Sequence, residues 1–165
     1  VHESLFHLHP IQLAPVSVLG SVREALAASQ LPPGVTIDMG ELEFLPPVQA
    51  GPKRLALVFS NLFENAADAM GGHGLIRVDG SVLDDWVEVR VGDNGPGIAP
   101  ELHDRIFEFN YSSRSKAHPG KLGFGLWWVK SLMARFGGNV SVTSDGNSGT
   151  IFILKLPRVG DLEAG

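Results

Sequence analysis

The chain has 165 residues, 44% of them apolar and 19% charged, enough to build a sizeable core and too apolar for wholesale disorder. Cysteine is absent, which excludes disulfide scaffolds, thiolate metal sites and cysteine nucleophiles, and a net charge of −5 argues against an electrostatic grip on nucleic acid or anionic membrane. No apolar run approaches the ~18 residues of a membrane span and no signal-like segment opens the sequence, so one soluble, cytoplasmic, monomeric domain over 1–165 is expected.

The sequence begins abruptly in strand-like residues (Phe6, Leu8, Ile11, Leu13), as a piece cut from a longer and even membrane-anchored parent would. Pro15 suits the first turn of a helix whose Leu19, Val22 and Leu26 recur at helical spacing. Leu31-Pro32-Pro33-Gly34 ends it, Val35–Met39 reads as a strand, and Gly40, Pro46 and Pro47 break residues 40–51 into a short edge strand and loop. From Pro52 the helical period is strong through Leu55, Val58, Phe59, Leu62, Phe63, Ala66 and Met70, and Gly71-Gly72 stops it. Leu75–Val78 is a strand, and Trp86–Val91 alternates strictly with its valines on one face. A helical turn at 100–107 leads into a polar stretch over 110–122, and a helix follows over Leu126–Phe136, closed by Gly137-Gly138. Val140–Ser144 and Thr150–Leu156 form a hairpin. Five or six strands, mostly joined as hairpins, with three amphipathic helices that can cover one face, imply an α/β (α+β) two-layer sandwich built on a mixed, mostly antiparallel sheet.

Three constellations carry chemistry. Asn61, Asn65 and Asp68 lie along one face of the long helix, where two poor helix formers interrupt an apolar run. A solvated face is the ordinary explanation, but an amide oxygen is also a competent Mg²⁺ ligand when waters and phosphates supply the rest. Asp93-Asn94-Gly95-Pro96-Gly97 follows directly on a strand, so a carboxylate there can accept from an exocyclic amine while glycines let backbone approach a flat ring. Taken alone it is an ordinary turn. Lys121-Leu122-Gly123-Phe124-Gly125-Leu126 precedes a helix, and free N–H groups, glycines and a cation make a phosphate cradle there; a glycine-rich connector is the plain alternative. The polar segment before it, from about 109 to 122, suits a lid over charged phosphates.

In this order the segments resemble the GHKL superfamily of ATP-binding domains, and more closely the catalytic domain of two-component sensor histidine kinases. Asn61–Met70 is similar to the N box, Asp93–Ile98 to the G1 box, Ile106–Phe109 with Tyr111-Ser112-Ser113-Arg114 to the F box, and Gly123-Phe124-Gly125-Leu126 to the G2 box. Gly149-Thr150-Ile151-Phe152 looks like the closing strand, and the resemblance spans roughly residues 50–157. It implies a Bergerat-type ATP-binding fold, ATP and Mg²⁺ as cofactors, Asn65 as the metal ligand, and Asp93 on the adenine amine with Gly95, Gly97, Ile98 and Thr150 around the base. It also implies Asn61, Asp68, Tyr111, Ser112, Lys121, Leu122, Gly123, Phe124, Gly125 and Leu126 along the nucleotide, with Arg114 or Lys121 at the terminal phosphates. Lys121 stands where the family has its first G2 glycine, and Asp68 where one subgroup has lysine.

The gyrase-like ATPases place a glutamate where this chain has Asn61, and an amide cannot take water's proton at neutral pH. Weak hydrolysis is therefore expected, with ATP kept for transfer to a histidine. His2-Glu3 is not followed by a phosphoacceptor box, so the partner implied is a histidine-bearing dimerisation domain, with a response regulator downstream. The rival readings are a regulatory module that binds nucleotide or a partner without kinase activity, and an anti-sigma-type serine kinase.

Overall fold

The computed structural model describes residues 10–109, 125–144 and 146–160. A five-stranded sheet carries strands β2 (Gly34–Met39), β4 (His73–Leu83), β5 (Trp86–Asp93), β7 (Thr150–Pro157) and β6 (Asn139–Thr143), in that spatial order. β2 runs parallel to β4 and every other neighbour is antiparallel, which makes the sheet mixed. Helices α1 (Val18–Ala28), α2 (Pro52–Ala69) and α3 (Gly125–Arg135) cover one face. A separate two-stranded ribbon pairs β1 (Ala14–Val16) with β3 (Val48–Ala50). The two-layer sandwich expected from the sequence is the architecture found, with the strand count raised to seven by the ribbon.

Alternation decides which side of the sheet is dry. Ile76 and Val78, Val87, Val89 and Val91, and Phe152, Leu154 and Leu156 are all buried and meet Leu55, Phe59, Leu62 and Phe63 of α2 in one core. The opposite face carries Asp38, Arg77, Asp79, Arg90 and Glu88 in a ladder of ion pairs across β2, β4 and β5. Both glycine pairs end their helices as expected. Gly72 N–H reaches Ala67 C=O and Gly71 N–H reaches Asp68 C=O after α2, and Gly138 and Gly137 repeat the pattern on Met133 and Ala134 after α3.

Three local expectations need correction. Pro15 does not open α1; it lies in β1 opposite Gln49, where an edge strand tolerates its missing donor, and Ser17 caps the helix by accepting from Gly20 N–H at 3.0 Å. Ile11 and Leu13 precede that strand, and Phe6 and Leu8 lie outside the described residues. β4 also extends well past Val78, because its ladder with β5 continues through the polar Asp79, Gly80 and Ser81.

Candidate functional site

β5 delivers Asp93 to the end of the sheet directly opposite Thr150, the first residue of β7. The Asp93 carboxylate accepts from Gly95 N–H at 2.9 Å and from Thr150 N–H. Burial nevertheless holds its pKa above the ordinary value of 3.8, since desolvation outweighs those two N–H groups. Thr150 itself is buried. After Asp93 the chain turns through Gly97, whose φ of +85° suits glycine; a Cβ there would sit 2.7 Å from Asn147 N and 2.8 Å from Ser144 Oγ. The turn therefore seats directly on the β6–β7 hairpin.

Ser144 is the centre of that seat. Its hydroxyl accepts from Ile98 N–H at 2.8 Å and Gly146 N–H at 3.2 Å, and donates to Gly149 C=O at 2.7 Å. His103 Nε2 lies 3.0 Å from Ile98 C=O, so the ring donates there and Ile98 is held by both its backbone groups. Asn94 Oδ1 accepts from Leu75 N–H at 3.0 Å, fixing the turn to β4 as well.

α2 connects this end to a second one. Met70, its C-cap, packs against Gly74 and Gly95: a Cβ on Gly74 would run into Met70 Sδ, and one on Gly95 would press on Met70 Cγ at 3.1 Å. Going back along the helix, Asp68, Asn65 and Asn61 are half-buried and share the polar face. Asn61 folds its amide nitrogen onto Leu57 C=O at 3.1 Å, and its Oδ1 faces the start of α3, 3.7 Å from where a Cβ on Gly125 would stand. From Met70 to Asn61 is nine residues, roughly 13 Å of helix.

Of the residues singled out in the sequence, Asn61, Asn65, Asp68, Asp93, Gly95, Gly97, Ile98, Gly125 and Thr150 thus distribute along one helix face and the strand ends beside it. Leu126 is the second residue of α3 and packs partly against the core. Tyr111, Ser112, Arg114, Lys121, Leu122, Gly123 and Phe124 lie outside the described residues. Trp128 packs against the core, whereas the Trp127 ring meets the exposed Phe109 edge-on at 5.0 Å. The contacts made by Ser144, His103, Asn94 and Met70 escaped the sequence reading, because each joins segments with no local signature. A shallow cleft bounded by Leu19, Arg23, Met39 and Glu41 lies between α1 and the end of β2 and shares none of these residues. Among the described residues no three His, Asp or Glu side chains cluster as a metal cage, and no helix is long and apolar enough to cross a membrane.

The profile of the histidine kinase-, DNA gyrase B- and HSP90-like ATPase family matches residues 50–160, more than half of the chain. The chain belongs to this family. Among its relatives, the sensor histidine kinase ZraS of Escherichia coli K12 is 37% identical over 113 residues, covering 68% of this chain and 23% of that protein. The sensor protein CitS of Halalkalibacterium halodurans is 32% identical over 131 residues, covering 76% of this chain and 24% of that protein. The chain thus spans about a quarter of the length of these relatives. Full-length ShkA in complex with AMPPNP superposes with a TM-score of 0.76 at 28% identity, over 93% of this chain and 33% of ShkA. The nucleotide-free catalytic domain of the histidine kinase ThkA gives 0.70 over 90% of this chain and 99% of that domain, and at 21% identity it speaks for the shared ATPase-family fold alone.

Proposed function

We propose that the chain is the ATP-binding catalytic domain of a sensor histidine kinase, which binds Mg·ATP and passes the γ-phosphate to a histidine on a separate dimerisation domain, with a response regulator downstream. Family membership and the sensor-kinase relatives support ATP as the nucleotide. The observation that carries the site assignment is the two-ended helix face: a half-buried carboxylate beside its Met70 end, and the Asn61 amide against the glycine-begun α3, nine residues or roughly 13 Å of helix further back.

Under this reading Asp93 accepts from the adenine amine, with Gly95, Gly97, Ile98 and Thr150 framing the base. Gly125 and the residues at 121–124 before it hold the phosphates with N–H groups at the start of α3, aided by Arg114 or Lys121. The donor set suits Mg²⁺, since Asn65 offers a hard amide oxygen on the face that runs to α3 and a phosphate-bound Mg²⁺ needs few protein ligands. Asn65 would hold the ion, which when bound supplies charge neutralisation at the phosphates. In the transfer the bond between the γ-phosphorus and its bridging oxygen breaks and one to a partner imidazole nitrogen forms. The chain's task is therefore to align the phosphate and neutralise charge, more than acid–base chemistry. Asn61 accords with that: its amide nitrogen is committed to Leu57 C=O and it cannot deprotonate water.

Calorimetric titration of ATP with and without Mg²⁺ tests the assignment. The expected result is Mg²⁺-assisted binding in the wild type, and a residual affinity indifferent to Mg²⁺ in Asn65→Ala. Absence of binding under both conditions would favour a regulatory module instead.

A further inference from the structure

We propose that Ser144 is a positioning residue for the adenine end of the site, a role that rests on the assignment of Asp93, Ile98 and Thr150 to that end. A serine hydroxyl has one proton and two lone pairs, and all three are spent here on backbone: Ile98 N–H at 2.8 Å, Gly146 N–H at 3.2 Å and Gly149 C=O at 2.7 Å. The bond to Gly146 is a local turn contact. The bond to Gly149 closes the same hairpin loop where it immediately precedes Thr150, and the bond to Ile98, which ends the turn that follows Asp93, is the long-range one. One side chain thus ties the turn after β5 to the start of β7, and it does so 46 residues away in sequence.

The turn is packed tightly onto that hydroxyl. Gly97 lies so close to the hairpin that a Cβ would come within 2.8 Å of Ser144 Oγ, so residue 97 itself can place no side chain in the seam. His103 holds the carbonyl side of Ile98 at 3.0 Å, leaving Ser144 as the holder of its N–H. Remove the hydroxyl and Ile98 keeps one tether of two, so the turn samples arrangements that do not fit the base. Nucleotide affinity then falls in proportion to the competent fraction, whatever the phosphate chain carries. A serine that merely stabilised the hairpin would lower the unfolding temperature and leave the dissociation constant untouched well below it.

The test is calorimetric titration of ADP and of Mg·ATP into the wild type, Ser144→Ala and Ser144→Thr, with hydrogen exchange followed at the Ile98 amide. Ser144→Ala is expected to weaken both nucleotides by the same factor, about tenfold or ~1.4 kcal/mol, and to expose the Ile98 amide to exchange. Ser144→Thr keeps the hydroxyl and should stay within about threefold of the wild type, with the amide protected. If Ser144→Ala does not fold, Ser144→Cys takes its place, and its weaker hydrogen bonds should give an intermediate loss. A folded Ser144→Ala that binds as the wild type does, or a Ser144→Thr that loses as much as Ser144→Ala, overturns the positioning role. A wild type that binds neither nucleotide overturns the adenine-site assignment beneath it.

Discussion

Gly149→Ala probes the junction between the end of β5 and the start of β7. The residue has φ +122°, a conformation L side chains rarely adopt, and an added Cβ would be driven into the carbonyl oxygen of Asp93. The backbone strain is worth about 1–3 kcal/mol. The collision adds about 1–3 kcal/mol, because Asp93 is held by its pairing with Thr150 and cannot retreat without opening the β5–β7 ladder. At 165 residues each kcal/mol lowers Tm by about 2–4 °C, so a combined loss near 4 kcal/mol implies a fall of about 8–16 °C. Gly71→Ala is the matched control: its φ is +67° with nothing within 4 Å, so only the left-handed penalty of about 1–2 kcal/mol applies. Urea unfolding of the two variants beside the wild type measures the difference directly, with an unchanged m-value showing that the unfolded states are comparable. A Gly149→Ala no less stable than Gly71→Ala would refute the reasoning, since the close approach to Asp93 would then not exist.

Phe63→Ala removes a fully buried ring stacked 6.1 Å from Phe59 under the polar face of α2, and should cost about 3–5 kcal/mol in urea unfolding; a loss under ~1 kcal/mol would mean the core is not packed this way. Asp93 gives two opposite pH dependences. Its folded pKa is raised above 3.8 by burial, so the folded state binds the proton more tightly than the unfolded one. Stability relative to Asp93→Asn should therefore rise as pH falls from above that raised value towards 3.8 and level off below, whereas ATP affinity should fall across the same window as the acceptor is lost. Parallel pH series of unfolding and of ATP titration check both signs; a stability difference that falls on acidification contradicts the desolvated carboxylate.

What could be read in the sequence was whatever is decided locally. The apolar spacing of α2 and the glycine pairs Gly71-Gly72 and Gly137-Gly138 announce their elements because helix period and left-handed caps are short-range physics. Pro15 misled for the complementary reason: its local preference for a helix start was overridden by pairing with Gln49 and by a better cap two residues on. The far half of β4 was hidden because Asp79 and Ser81 belong to the charged face and Gly80 between them offers no apolar side chain, so the alternation lapses after Val78. The same division holds at the site. Asp93, Gly95, Asn65 and Asn61 were legible as residue types at a spacing. Ser144, His103 and Met70 were not, since an ordinary serine, histidine and methionine acquire their roles from partners that only the folded chain brings near.

Asp93→Asn tests the proposed adenine contact most directly. Asparagine keeps one oxygen for the backbone N–H groups of Gly95 and Thr150, removes a buried charge and, under the proposed reading, turns a donor towards the adenine amine. Thermal unfolding at neutral pH and ATP titration on the same sample should show a variant at least as stable as the wild type whose affinity has dropped roughly 10–150-fold, the worth of a hydrogen bond to a charged group. A variant that binds ATP as tightly as the wild type would contradict the claim that this carboxylate reads the base.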